Sequence, residues 1–265
     1  MDLNQLLKGV KGVVAETAQF IRTERIQFSH EAAQVKGLND LVSYVDKTSE
    51  EKLVQGLLQL LPESGFLAEE GTQAGLKEWN WIIDPLDGTT NFVHGIPCYA
   101  ISVGLEHKGE IVLGVVHEVA RDEQFCAIKN GGAYLNEKAI RVGATKRLQD
   151  SLIATGFPVN NFDQMQGVLK ALEHFMRHTH GIRRIGAAAA DLCYLACGRV
   201  DAFYEYNLKP WDVAAGALIA KEAGAIVTDF NGGAGWLHGR TIMASNPTLF
   251  EVFSAVIQTS FTNLS

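Results

Sequence analysis

Residues Trp79-Asn80-Trp81-Ile82-Ile83-Asp84-Pro85-Leu86-Asp87-Gly88-Thr89-Thr90-Asn91-Phe92 constrain the fold more than any other stretch. Trp81-Ile82-Ile83 reads as a buried strand that stops at Asp84-Pro85. A buried strand needs other elements layered against it. Its C-terminal end, where α/β sheets commonly place ligands, carries two carboxylates, Asp84 and Asp87. Pro85 stiffens the turn, and Gly88 lets the backbone come close to a ligand. Two chemistries fit. The two aspartates cap backbone amides of a turn, or they hold a hard cation that bridges to a phosphate, as Mg²⁺ does. In the second case the Gly-Thr-Thr amides or a helix N-terminus receive the phosphate.

The rest of the chain supplies the layers. Leu3, Leu6, Leu7, Val10, Val13, Val14 and Ile21 keep helical spacing, and a second helix is expected from about Thr48 to Leu61, ended by Pro62. Residues 99–119 alternate as a hairpin turning at His107 to Glu110, and a strand over Phe125 to Ile128 leads into Asn130-Gly131-Gly132. The polar segment Val142 to Ser151 divides the chain into halves, 1–145 and 146–265. Beyond it come a helix from Met165 to Met176, another over Ala187 to Ala196 closed by Gly198, and a strand over Asp201 to Tyr206. A helix over Val213 to Ala223, a strand over Ala225 to Thr228 and a last helix after Asn246-Pro247 complete the order. Helices and strands alternate throughout, which implies a layered α/β or α+β architecture.

Composition narrows the function. With 30 acidic side chains against 23 Lys and Arg, the 265-residue chain carries a net charge of −7. That balance argues against nucleic-acid binding through phosphates, which needs a basic face, and fits a protein that holds cations. Apolar residues at 47% and charged ones at 20% are ordinary globular usage. Cys98, Cys126, Cys193 and Cys197 form no C-x-x-C pair and read as buried free thiols of a reducing compartment. The start Met1-Asp2-Leu3-Asn4 has no signal-peptide character, and no run approaches the ~20 apolar residues of a membrane span. A cytoplasmic location is the expectation.

Trp81 to Phe92 matches W-x-[IV]-D-P-[IL]-D-G-T-x-N-[FY] throughout, and here the chain resembles the inositol monophosphatase family. Trp211-Asp212-Val213-Ala214-Ala215-Gly216 through Glu222-Ala223-Gly224 matches the second signature, with Ala225 where the family has glycine. Residues 39–46 resemble its D-L-V-[ST]-x-x-D stretch and Ala68-Glu69-Glu70-Gly71 its G-E-E segment. Residues 181–199 are also similar, so the resemblance covers nearly the whole chain.

The resemblance implies a layered α-β-α-β-α sandwich with Mg²⁺ between the halves, usually as a homodimer. Glu69, Asp84 and the Leu86 carbonyl would bind one ion; Asp84, Asp87 and Asp212 would bind a second. Crowded carboxylates of this kind repel unless cations sit among them. Helix capping is the other use open to Asp212 and Asp46. Within the family pattern, Thr89 orients the attacking water while Asp46 holds its hydroxyl, and the Gly88 and Thr89 amides hold the phosphate. Lys36 matches a family lysine that favours an anionic substrate. Glu205 takes the place of a carboxylate that bonds a substrate hydroxyl, and Ala188 lines the same pocket. Family members usually carry Ser or Thr where Ala187 stands.

Of the eight histidines none forms H-E-x-x-H or another ligand spacing, and His174, His178 and His180 read as helix surface and terminus. Neither a Walker-type loop nor a G-x-S-x-G elbow occurs. The resemblance therefore implies Mg²⁺-dependent, lithium-sensitive hydrolysis of a small polyol phosphate, myo-inositol 1-phosphate first. The rivals are histidinol phosphate, fructose 1,6-bisphosphate and 3′-phosphoadenosine 5′-phosphate, or a non-catalytic binding protein on the same fold. Two bound Mg²⁺ would move the net charge from −7 to −3.

Overall fold

A computed structural model describes residues 1–29, 34–37, 40–72 and 75–261, with the backbone alone for 35–37, 40 and 41. Helices α1 (Leu3–Gln27) and α2 (Tyr44–Leu60) pack on each other and on one face of a seven-stranded sheet. A small hairpin, β1 (Gln34–Gly37) with β2 (Asp40–Val42), lies between them in sequence. The large sheet runs in chain order: β3 (Gly65–Ala68), β4 (Trp79–Asp87), β5 (Ala100–His107), β6 (Glu110–Glu118), β7 (Glu123–Ile128), β8 (Ala133–Leu135) and β9 (Lys138–Ile140). Only the β3–β4 pairing in it is parallel. Between β4 and β5 the chain makes the short helix α3 (Thr89–His94).

A second sheet, of five strands, contains β10 (Leu152–Thr155), β11 (Gly181–Arg183), β12 (Ala202–Tyr206), β13 (Ile226–Thr228) and β14 (Thr241–Ser245), in the order β11-β10-β12-β14-β13. Helices α4 (Met165–His178) and α7 (Phe250–Ser260) cover its outer face. Helices α5 (Ala188–Ala196) and α6 (Pro210–Glu222) fill the space between the two sheets. The result is the α+β layered sandwich, α-β-α-β-α. Among the described residues no helix is long and apolar enough to cross a membrane.

Local sequence explains each layer. Helix α1 buries only one stripe, Leu6, Val10, Val14, Thr17, Ala18 and Ile21, because its other side faces water. Every residue of α5 is buried, and so is α6 from Val213 to Ala220, because sheets press on them from both sides. Both helices are rich in alanine, which permits this close approach. Where α6 crosses the large sheet, a Cβ on Gly114 would come within 2.9 Å of the Ala215 carbonyl.

Four expectations need correction. Strand β4 continues through Pro85 to Asp87, and its pairing with β5 becomes irregular between Asp84 and Asp87. A proline lacks a ladder donor, and an irregular stretch tolerates it. Helix α2 starts a turn earlier than Thr48 because Ser43 caps it, and α6 starts at Pro210, a residue suited to the first helical position. Cys98, Cys126 and Cys193 are buried free thiols, whereas Cys197, at the end of α5, is half-buried.

Candidate active site

The site is built around the irregular end of β4. Asp84 Oδ1 accepts the Leu86 amide at 3.0 Å, a local contact across Pro85 within the irregular stretch of the β4–β5 pairing. Gly88 follows with φ of 90°, and a Cβ there would lie 3.1 Å from the Gly186 carbonyl oxygen and 3.2 Å from Ala187 Cβ. Left-handed backbone and close neighbours together select glycine. Thr89 then opens α3, and its Oγ1 donates to Asp46 Oδ1 at 2.7 Å, with the Leu86 carbonyl 3.0 Å away.

Asp46 lies inside the first turn of α2, not at the N-cap. Its Oδ2 accepts the Ser43 amide at 2.8 Å and the Ser43 hydroxyl at 2.6 Å, closing a capping box. One carboxylate therefore caps α2 with one oxygen and holds Thr89 with the other. Burial raises its pKa above the usual carboxylate value, and the Ser43 and Thr89 hydrogen bonds oppose that rise. Asp212 likewise lies within the first turn of α6 and accepts the Lys209 amide on Oδ2 at 2.7 Å. Asp87 acts across elements: its Oδ2 accepts the Ala189 amide at 2.7 Å and so caps α5, whose own N-cap, Ala187, has no side chain to do so.

Except for the buried Asp46 and Ser43, these groups meet in one cleft of ≈ 180 Å³. Glu69, just after β3, lines it with Asp84, Leu86, Asp87, Gly88 and Thr89 from one sheet. Ala188, Glu205 on β12 and Asp212 close the other side. Gly156 makes room for Glu205, since a Cβ there would overlap the Glu205 carboxyl. Lys36 lies in β1, and its side chain falls outside the described residues.

The acids strain one another. Asp84 is raised well above the carboxylate range, first by burial, then by the charges of Glu69, Asp87 and Asp212 and a hydrogen bond with Glu69. Burial leads in pushing Asp87 and Asp212 each to about 7 and Glu205 to about 8. Arg184, the one cationic side chain among the residues lining the cleft, pulls Asp87 and Glu205 back. Asp87, Glu205 and Asp212 open partly to the cleft, so water tempers their shifts.

The donor set suits a hard divalent cation: carboxylates and a main-chain carbonyl, with no sulfur or imidazole. Among the described residues no three His, Cys, Asp or Glu side chains stand gathered as a ready ligand group. The carboxylates nonetheless line one cleft, and a hydrogen bond joins Asp84 to Glu69. A cation among them would offset their mutual repulsion. Sequence reading missed two members. Ser43, which fixes Asp46, carries the S-x-x-D signal of a capping box. Arg184 had no local signal, and only folding brings β11's end to the cleft.

A model of the inositol monophosphatase family matches residues 2–260. The chain is 47% identical to a putative Nus factor SuhB of Neisseria meningitidis serogroup B, over 84% of this chain and 86% of that protein. It is 45% identical to an inositol-1-monophosphatase of Rhizobium meliloti, over 84% and 85%. The crystal structure of extragenic suppressor protein suhB from Bartonella henselae superposes with a TM-score of 0.91 at 36% identity, covering 96% of this chain and 98% of that one.

Proposed function

The chain belongs to the inositol monophosphatase family, and on that premise we propose that it is a Mg²⁺-dependent phosphatase of a small polyol phosphate, myo-inositol 1-phosphate first. The observation that carries this reading is the 2.7 Å Thr89–Asp46 hydrogen bond at the rim of a cleft lined by four acidic ligand candidates.

Glu69, Asp84 and the Leu86 carbonyl would hold one ion, and Asp84, Asp87 and Asp212 a second. When bound, Mg²⁺ supplies the positive charge that neutralises these acids and the phosphoryl oxygens of the ester. The protein's own groups do the rest. Thr89 gives its hydrogen to Asp46, so its oxygen accepts from a water and aims that water at phosphorus. Asp46, a stronger base than an exposed aspartate because burial raises its pKa, takes up the proton through Thr89 as the water oxygen bonds phosphorus. The polyol oxygen leaves as the ester P–O bond breaks and takes a proton from solvent. The Gly88 and Thr89 amides hold phosphate, and Glu205 meets a hydroxyl of the polyol. The halves 1–145 and 146–265 divide these tasks, the first supplying Glu69, Asp84 and Asp87 and the second Asp212 and the polyol pocket. A cytoplasmic homodimer inhibited by Li⁺ completes the reading.

Phosphate release from myo-inositol 1-phosphate, histidinol phosphate, fructose 1,6-bisphosphate and 3′-phosphoadenosine 5′-phosphate, with and without Mg²⁺ and Li⁺, tests it. Preference for the inositol ester, dependent on Mg²⁺ and suppressed by Li⁺, is expected; strong preference for another ester refutes the substrate assignment.

The Neisseria relative's name supports a second reading, in which the chain also binds a protein or RNA partner. With a net charge of −7, a protein partner fits better than RNA. If the chain has this role, the Asp87→Asn variant should keep the partner in a co-purification assay while losing turnover.

A further inference from the structure

Outside the carboxylate cleft, the C-terminal end of α4 brings two histidine side chains together on the outer layer of the sandwich. His174 and His178 are one helical turn apart, with ring centroids 4.4 Å apart and planes tilted by 30°. Helical spacing of four residues puts both on one face. They border a separate cleft of ≈ 470 Å³ with Arg147, Gln149, Arg177 and Thr179. As sequence they read as helix surface, yet H-x-x-x-H is the i, i+4 spacing that sets two histidines on one face of a helix.

The hydrogen bonding settles the state of one ring. His178 Nδ1 lies 2.8 Å from the His174 main-chain carbonyl oxygen. A carbonyl oxygen only accepts, so Nδ1 carries the hydrogen, and in the neutral ring the lone pair sits on Nε2. This is the arrangement by which metal-binding histidines are commonly oriented, one ring nitrogen donating to a carbonyl while the other ligates. Partial burial, and then the neighbouring His178, lower the His174 pKa, which favours the neutral ring that a metal needs. A tetrahedral ion about 2.0–2.1 Å from two imidazole nitrogens needs them roughly 3.3 Å apart. The rings, centred 4.4 Å apart and tilted by 30°, must turn about their side-chain torsions to aim two nitrogens at one ion, and His178, exposed at the end of α4, has room to turn.

The surroundings do not repel a cation strongly. Arg177 is tied to Glu173 at 2.9 Å, and Arg147 is paired with Asp150. The last turn of a helix also favours positive charge.

We propose that His174 and His178 form a two-histidine chelate for a borderline divalent cation of the Zn²⁺ type, with water completing its coordination. Imidazole selects such ions over Mg²⁺, which demands oxygen. The site therefore disfavours Mg²⁺, and because Zn²⁺ also binds carboxylates such as those of the acidic cleft, the two rings themselves must report the binding.

The test uses the full chain, Zn²⁺ as probe, 10 mM Mg²⁺ throughout, and the imidazole nitrogen resonances of all eight histidines as readout. One equivalent of Zn²⁺ should shift the His174 and His178 signals together. His174→Ala and His178→Ala should each weaken Zn²⁺ binding by roughly tenfold or more, since the chelate is lost, while His180→Ala leaves it within about twofold of the wild type. Two results overturn the proposal: Zn²⁺ shifts neither ring, or either alanine variant leaves the remaining ring's response to Zn²⁺ as tight as in the wild type.

Discussion

Asp46 serves two elements at once, and that double use makes its replacement informative. Asn at this position keeps an acceptor for either Ser43 or Thr89 but cannot take up a proton. Asp46→Asn should lower kcat by roughly 10²–10⁴-fold, the usual share of a general base, with thermal stability changed by no more than about 1 kcal/mol. Steady-state kinetics and a thermal melt on the same sample check both. If the variant instead keeps wild-type kcat, Asp46 only caps α2. Gly88 makes a complementary case. Its φ of 90° strains any L side chain, and the 3.1 Å approach of the Gly186 carbonyl crowds a methyl group there. Gly88→Ala should lose activity and melt lower, whereas Gly75→Ala, whose added Cβ meets nothing within 4 Å, should be nearly neutral.

At the scale of elements, the cap of α2 can be isolated from the chemistry. Ser43→Ala removes the hydroxyl that the Asp46 carboxylate and the Val45 amide share, and should cost about 0.5–2 kcal/mol by chemical denaturation. It should also loosen Asp46, so activity falls with stability; a stability loss without any fall in kcat would show that Thr89 alone fixes Asp46. Much of this level was legible in sequence. Long amphipathic α1 and α4, the β5–β6 hairpin and the aspartate pair stand out because their signals are local: periodicity, turn residues and spacing. The short strands β3, β10, β11 and β14 were not legible, because three- to five-residue runs carry too little pattern and owe their pairing to distant partners. Asp87 capping α5 from another element is of the same kind. Nothing near Ala187 announces that its helix is capped from 102 residues away.

For the whole molecule, the carboxylate cleft ties stability to pH and to cations. Asp87 and Asp212 are held at about 7 and Glu205 at about 8, against unfolded values near 4. Raised acids favour the folded state only while protonated, so their contribution is fully present below pH 4 and is lost as pH rises through 7 to 8. Without divalent metal, the melting temperature should fall by roughly 5 °C or more between pH 5.5 and 8.5. Excess Mg²⁺ should recover most of that loss at pH 8.5, because an ion bound only by the folded chain stabilises it. A metal-free melt that is flat or rises with pH would mean the acids are not crowded as described.

The most direct measurement is phosphate release from myo-inositol 1-phosphate, followed across Mg²⁺ concentrations for the wild type and for Asp87→Asn. Turnover that rises from baseline with Mg²⁺ in the wild type, and is lower by roughly a thousandfold or more in a folded Asp87→Asn, is the predicted result. Turnover without Mg²⁺, or an Asp87→Asn variant as active as the wild type, would contradict it.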